Sequence, residues 1–225
     1  NLKEVVMIEI DKEVVRVAKE FFPDMHDFNN NKLTLEINDG AKYVKNLSKE
    51  DNLTNERKFD VIIIDSTDFS KAFSLFTDQF YRNCKKILKP SGCMVFNAFS
   101  LSWEKEEFRY FLKQFKDIFR YNYLYQVYQP TYASGHYTFA FCSDAINPKK
   151  TAFVKKEMEA LEYYTEEVHK ASFFLPKEYL LPKPSSNDLG QHLLIECAGA
   201  NAEALNDDVN IYKMCDEITK NYEVT

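Results

Sequence analysis

The segment Phe59-Asp60-Val61-Ile62-Ile63-Ile64-Asp65 constrains this chain more than any other stretch. Its unbroken β-branched centre leaves no polar position to face water, so the run is expected to be a central parallel strand buried on both faces. Parallel strands need crossover connections, which are usually helices. The flanking sequence should therefore alternate strands with helices.

It does. Residues 5–10 are apolar and β-branched, and residues 12–22 place Val14, Val15, Val17, Ala18, Phe21 and Phe22 among charges, as a helix ended by Pro23 would. Residues 33–37 alternate as a half-buried strand, and Asp39-Gly40 opens a short helix over 41–47. Residues 77–88 read as a helix stopped by Lys89-Pro90-Ser91-Gly92, residues 93–98 as a strand, and residues 104–119 as a helix. Residues 121–128 and 137–143 then form two β-rich runs around Gln129-Pro130-Thr131-Tyr132-Ala133-Ser134-Gly135, which predicts an antiparallel pair. The chain reads as helical again over 151–179. The fold class implied is α/β, a Rossmann-like, methyltransferase-type open sheet.

The opening residue is Asn1 and a strand begins almost at once, so the sheet is expected to be incomplete at its N-terminus. Residues 181–188 hold Pro182, Pro184 and two serines and read as a linker. Beyond it a short strand, a helix and the start of another strand, a partial α+β segment, are too little to bury a core alone. Three regions follow: 1–180, the linker 181–188, and 189–225.

Composition narrows the function classes. A net charge of −6 over 225 residues gives no broad basic footprint for nucleic acid, and no apolar run approaches the roughly 20 residues of a membrane span. Cys84, Cys93, Cys142, Cys197 and Cys215 are scattered without a C-x-x-C pair, which reads as buried thiols in a reducing, cytoplasmic compartment. His26, His136, His169 and His192 are equally dispersed, so no metal-ligand spacing is offered and no metal is expected.

In open α/β sheets ligands bind beyond the carboxyl ends of the strands, so polar residues there matter first: Glu9 with Asp11, Asp39, Asp65 with Asp68, and Asn97. Glu9 could accept hydrogen bonds from ribose hydroxyls or be a solvated strand-end carboxylate. Asp39-Gly40 could be a ligand contact or plain turn chemistry. Asp65-Ser66-Thr67-Asp68 is the stronger signal, because two carboxylates follow the most hydrophobic strand, although an N-cap or turn role for Thr67 or Asp68 remains open.

Taken in order, Glu9-Ile10-Asp11, Asp39-Gly40, residues 60–68 and Pro130-Thr131-Tyr132-Ala133-Ser134-Gly135 resemble the spermidine synthase family. The resemblance continues through Tyr163-Tyr164, Val168-His169-Lys170-Ala171 and Phe174-Leu175-Pro176 and covers residues 1–180. It implies aminopropyl transfer from decarboxylated S-adenosylmethionine to putrescine, giving spermidine and methylthioadenosine, with no cofactor beyond that co-substrate. It also implies a homodimer. By the same resemblance Asp65 is the catalytic base, Glu9, Asp39 and Gly40 contact the nucleoside, and Asp68 and Tyr132 hold the amine.

Several positions depart from the family pattern. Phe69 and Ala133 stand where prolines are usual, residues 70–73 replace a Gly-Pro-containing continuation, and Asn97-Ala98-Phe99 lacks an acidic residue, so putrescine or another diamine is the expected acceptor. The family's glycine-rich loop and N-terminal β-domain are not in these residues, which leaves this piece alone expected to be inactive. Leu189-Gly190-Gln191-His192-Leu193-Leu194-Ile195-Glu196 and Leu205-Asn206-Asp207 resemble the opening of a bacterial-type S-adenosylmethionine decarboxylase, whose pyruvoyl group would arise further downstream. Other readings are another S-adenosyl-nucleoside-dependent transferase, or a non-catalytic paralogue that regulates an active synthase.

Overall fold

A computed structural model describes residues 2–25, 27–67, 71–98, 100, 118–153 and 159–175. The chain divides into two units, residues 1–57 and 58–225. In the first, β1 (Val5–Glu9) and β2 (Leu33–Ile37) pair in parallel from Val5↔Leu33 to Glu9↔Ile37. Between them runs α1 (Lys12–Phe21), and after β2 comes α2 (Gly40–Leu47). Both helices begin immediately after a strand and both are started by an aspartate. Asp11 accepts from the Glu13 amide, and Asp39 from the amides of Ala41 and Lys42, satisfying donors that have no partner within the helix.

The second unit holds a four-stranded sheet in the order β3-β4-β6-β5, built from β3 (Phe59–Ile64), β4 (Leu88–Asn97), β5 (Tyr121–Tyr128) and β6 (His136–Ser143). β3 and β4 are parallel, and β6 is antiparallel to both β4 and β5. The antiparallel pair is therefore as the sequence indicated. α3 (Asp78–Ile87) is capped by Thr77, which accepts from the Phe80 amide at 3.1 Å. Its residues Phe80, Tyr81, Cys84 and Ile87 recur at helical spacing and are buried. Tyr81 stacks on Phe96 of β4 with ring centroids 5.0 Å apart. Tyr81, Ile87 and Met94 are almost wholly removed from solvent. Each side chain of that size stabilises the fold by about 1.5–3 kcal/mol on burial.

Four expectations change. First, among the described residues β3 has β4 as its partner strand and stands at the edge of its sheet, with Val61 and Ile63 on an exposed face while Ile64 is buried. Local composition reports that a segment prefers the extended state, whereas its number of partners depends on distant pairing. Second, Lys89-Pro90-Ser91-Gly92 is not a loop between elements but an expansion inside β4, whose register jumps from Phe59↔Leu88 to Val61↔Cys93. Gly92 permits it, because a Cβ there would lie 2.9 Å from the Asp60 carbonyl oxygen and 3.1 Å from that of Lys89. Third, the helix expected over 151–179 is, among the described residues, only α4 (Glu166–Ser172), started by Thr165; residues 151–153 and 159–165 are not helical. Residues 159–165 are exposed throughout, so no tertiary packing supports a helix there. Fourth, Cys93 is only half-buried, while Cys84 and Cys142 are buried as expected and burial pushes both thiols up.

The expected helix at 104–119 falls almost entirely outside the described residues, as do Asp68, Phe69, Phe99, His26, His192, Cys197, Cys215, the linker and the 189–225 segment. Among the described residues no helix is long and apolar enough to cross a membrane.

Candidate functional site

Parallel pairing brings the carboxyl ends of β1 and β2 to one level. The Asn38 amide donates to the Glu9 carbonyl at 2.9 Å, so Glu9 and Asp39 share one end of the first unit. Glu9 folds back, its Oε1 accepting from the Asp11 amide at 2.8 Å. Asp39 Oδ1 caps α2 at 2.8 and 3.1 Å, and its Oδ2 lies 3.7 Å from Lys42 Nζ. Gly40 is the first residue of that helix. Asp39 is thus the N-cap of α2 rather than part of a separate turn, and one carboxylate oxygen remains beyond the cap.

In the second unit the same parallel geometry applies to β3 and β4. Ile64 is paired with Phe96, so the next residues, Asp65 and Asn97, leave the sheet side by side. The row continues across the sheet, because Asn97 is opposite Phe139 on β6 and Phe139 is opposite Tyr125 on β5. Ile63, Val95, Val127 and Tyr137 occupy the same face two residues away along their strands. Together these line a pocket of about 370 Å³ that Gln129 and Tyr132 complete. Asp65 and Tyr132 are therefore brought to one cavity.

Tyr132 comes from the β5–β6 turn. The Tyr132 amide donates to the Gln129 carbonyl at 3.2 Å, and the Gly135 amide donates to the Tyr132 carbonyl at 2.8 Å. Gln129 Oε1 accepts from the Thr131 hydroxyl at 2.8 Å. Gly135 takes φ of 66°, a left-handed conformation that glycine adopts without a Cβ penalty. This arrangement sets Tyr132 against Tyr137 at 5.2 Å between ring centroids, and Tyr137 meets Phe139 edge-on at 5.5 Å. Phe139 in turn stacks on Tyr125 at 5.5 Å. Burial, with smaller contributions from Cys93 and Tyr164, pushes the Tyr125 phenol up to about 12, so that side of the pocket stays uncharged at neutral pH.

A carboxylate beside a continuous aromatic wall suits an organic cation. The carboxylate attracts the charge and can take a proton, while ring faces attract ammonium groups and their methylenes. Asp65 is exposed and open to an incoming group. Among the described residues no three of His, Cys, Asp or Glu converge as metal ligands would.

Asp65, Tyr132 and Asn97 stand out in the sequence, whereas Tyr125, Val127, Gln129, Tyr137 and Phe139 do not. Their period-two spacing on two paired strands was the available signal, and it identifies a face only once the register is known. His169 is structural. Its Nε2 is 2.7 Å from the Pro148 carbonyl and must donate to it, leaving Nδ1 to accept from the Tyr164 hydroxyl at 2.7 Å.

Residues 1–153 match the family described as spermine/spermidine synthase domain. A polyamine aminopropyltransferase of Leptospira biflexa serovar Patoc is 36% identical over 181 residues, covering 79% of this chain and 61% of that protein. One from Thermoplasma volcanium is 35% identical over 180 residues, with the same coverage of 79% and 61%. A solved spermidine synthase in complex with the transition state analogue AdoDATO superposes with a TM-score of 0.69 at 28% identity, over 84% of this chain and 62% of that one. The spermidine synthase of Thermotoga maritima gives 0.67 at 28% identity, over 84% and 61%. The chain thus spans about three fifths of the length of these relatives.

Proposed function

Because this chain belongs to the spermine/spermidine synthase domain family, we propose that it is the catalytic part of a polyamine aminopropyltransferase. It moves an aminopropyl group from decarboxylated S-adenosylmethionine to putrescine or another diamine. The observation that carries this reading is the meeting of Asp65 and Tyr132 at one aromatic-lined pocket.

The chemistry follows from the acceptor. A primary alkylamine, with a pKa of roughly 10, is almost wholly protonated at neutral pH and is then no nucleophile. Asp65 takes one proton from the attacking nitrogen, directly or through water. The freed nitrogen lone pair forms the new N–C bond to the aminopropyl carbon, while the C–S bond breaks and its electron pair returns to sulfur. The sulfonium becomes neutral methylthioadenosine, so it supplies its own leaving group. Tyr132 and the aromatic wall hold the amine chain, and Asp68 holds the distal ammonium. Glu9 accepts from the ribose hydroxyls of the donor, and Asp39 with Gly40 meets its adenine.

The resemblance of residues 189–225 to an S-adenosylmethionine decarboxylase supports a further part of this reading, in which one polypeptide makes and uses the same donor. The test is an assay of the full chain with decarboxylated S-adenosylmethionine and a panel of diamines, following methylthioadenosine release. Amine-dependent release supports the reading. Methyl transfer from S-adenosylmethionine, or donor binding without turnover on any amine, overturns it.

A further inference from the structure

At the end of β4, Asn97 Nδ2 lies 3.2 Å from Asp65 Oδ1 and 3.1 Å from the Ser66 carbonyl oxygen. Both partners are acceptors, so the amide must turn its NH2 towards them, and its two hydrogens serve one bond each. Among the described residues no bond reaches Asp65 Oδ2. The backbone that carries Asn97 is firmly fixed. The Ala98 amide donates to the Thr138 carbonyl at 2.9 Å, and the buried Thr138 hydroxyl donates back to the Ala98 carbonyl at 2.9 Å.

We infer that Asn97 is a positioning residue for the transfer reaction: its amide ties the Asp65 carboxylate to the Ser66 backbone and leaves Oδ2 as the oxygen that takes the proton. This rests on the aminopropyl-transfer reading for its kinetic consequence, though not for the contact itself. Asp65 is exposed and follows the last residue of β3, so without a tether its carboxylate turns about χ1 and χ2 among several rotamers. Holding one oxygen selects a single orientation. A proton acceptor displaced by about 1 Å can lose on the order of a hundredfold in rate, which is the scale on which such a tether matters.

A carboxylate at position 97 would stand 3.2 Å from Asp65 with no hydrogen to share. Two carboxylates at that distance resist ionising together. The neutral amide sets no second negative charge beside that carboxylate. The other titratable groups described around the pocket are the phenols of Tyr125, Tyr132 and Tyr137, with Asp68 following three residues after Asp65.

The test uses Asn97→Asp, Asn97→Leu and Asn97→Gln in the full chain. Asn97→Leu, which removes the donor without adding charge, is expected to lower kcat by about tenfold to a hundredfold with the donor KM changed less than about twofold. Asn97→Gln keeps the NH2 group and recovers part of that loss. Asn97→Asp moves the acidic limb of the kcat/KM profile upwards by about one pH unit or more. A kcat and pH profile unchanged in Asn97→Asp and Asn97→Leu would overturn the inference. The contact is also read without turnover, by following the Asp65 side-chain carboxyl through a pH titration with carbon-13 NMR. An upward move in Asn97→Asp relative to the unaltered protein is expected, and identical Asp65 titrations in all variants would refute the tether. If the titration moves but no amine supports transfer, the functional reading falls and the tether stands.

Discussion

Ser143, the last residue of β6, is fully buried, and its single hydroxyl serves three backbone groups. Oγ donates to the Gly92 carbonyl at 2.8 Å and accepts from the amides of Ala145 at 3.2 Å and Ile146 at 3.0 Å. It thus ties the expanded part of β4 to the chain leaving β6. Ser143→Ala removes all three bonds at once. The Gly92 carbonyl is buried and bears the full cost of losing its partner, about 1–3 kcal/mol. The half-buried Ile146 amide adds on the order of 1 kcal/mol, and the exposed Ala145 amide finds water at little cost. The expected loss is therefore about 2–4 kcal/mol, or a melting temperature lower by roughly 5–15 °C for a chain of this size. Urea unfolding should show a lower midpoint with an unchanged slope. Ser134→Ala is the control, since Ser134 donates to the His136 carbonyl at 2.8 Å on an exposed turn, and should cost no more than about 0.5 kcal/mol. A Ser143→Ala loss as small as the control's would refute the reasoning.

Gly92→Ala should destabilise the second unit by about 1–3 kcal/mol, because its Cβ would press on the Asp60 and Lys89 carbonyls, and an unchanged melting temperature would contradict this. Asp65→Asn in the full chain should lower turnover by about 10²–10⁴-fold while calorimetric affinity for the nucleoside donor persists; turnover near that of the unaltered protein would count against the assignment. Burial pushes the Asp144 carboxyl up, but bonds from the Lys85 ammonium and the Arg120 amide outweigh it, and the net folded value lies below the usual one. A depressed folded value stabilises above the unfolded pKa of about 3.9 and loses that contribution as pH falls through the folded value. Asp144→Asn should therefore lower stability by about 0.5 kcal/mol at pH 7, discounted for exposure, and the two stability curves should converge below pH 4; parallel curves would be inconsistent.

Local signals carried the elements well. Pro23 and the periodicity before it fixed α1, and Asp11, Asp39 and Thr77 each cap a helix where the sequence indicated a start. The two β-rich runs at residues 121–128 and 137–143, separated by the turn-like segment 129–135, gave the antiparallel pair. What the sequence did not display was set by contacts between distant residues. The position of β3 depends on which strands pair with it, and the register jump at Gly92 depends on how closely Asp60 approaches. The carboxylate of the pocket was legible because Asp65 directly follows the most hydrophobic run of the chain, at a strand end where ligands of open α/β sheets bind, although the residue is exposed. Its aromatic wall was not, because Tyr125 and Phe139 look like ordinary core residues until Asn97↔Phe139 and Tyr125↔Phe139 place them beside Asp65. Asn97 was legible as a polar residue at a strand end, but its 3.2 Å contact with Asp65 is visible only in the structure.

Asp65 and Asn97 ride on a hydrogen-bonded ladder, whereas Tyr132 rides on a turn closed by Gln129 and Gly135. The two supports answer to different changes in sequence. Exchanges among residues 130–134 can widen, narrow or re-aim the mouth of the pocket without disturbing the backbone that presents the carboxylate, provided Gly135 keeps its left-handed turn. Anyone redesigning this scaffold for a longer or bulkier acceptor would diversify that turn and leave residues 59–66 and 93–98 untouched.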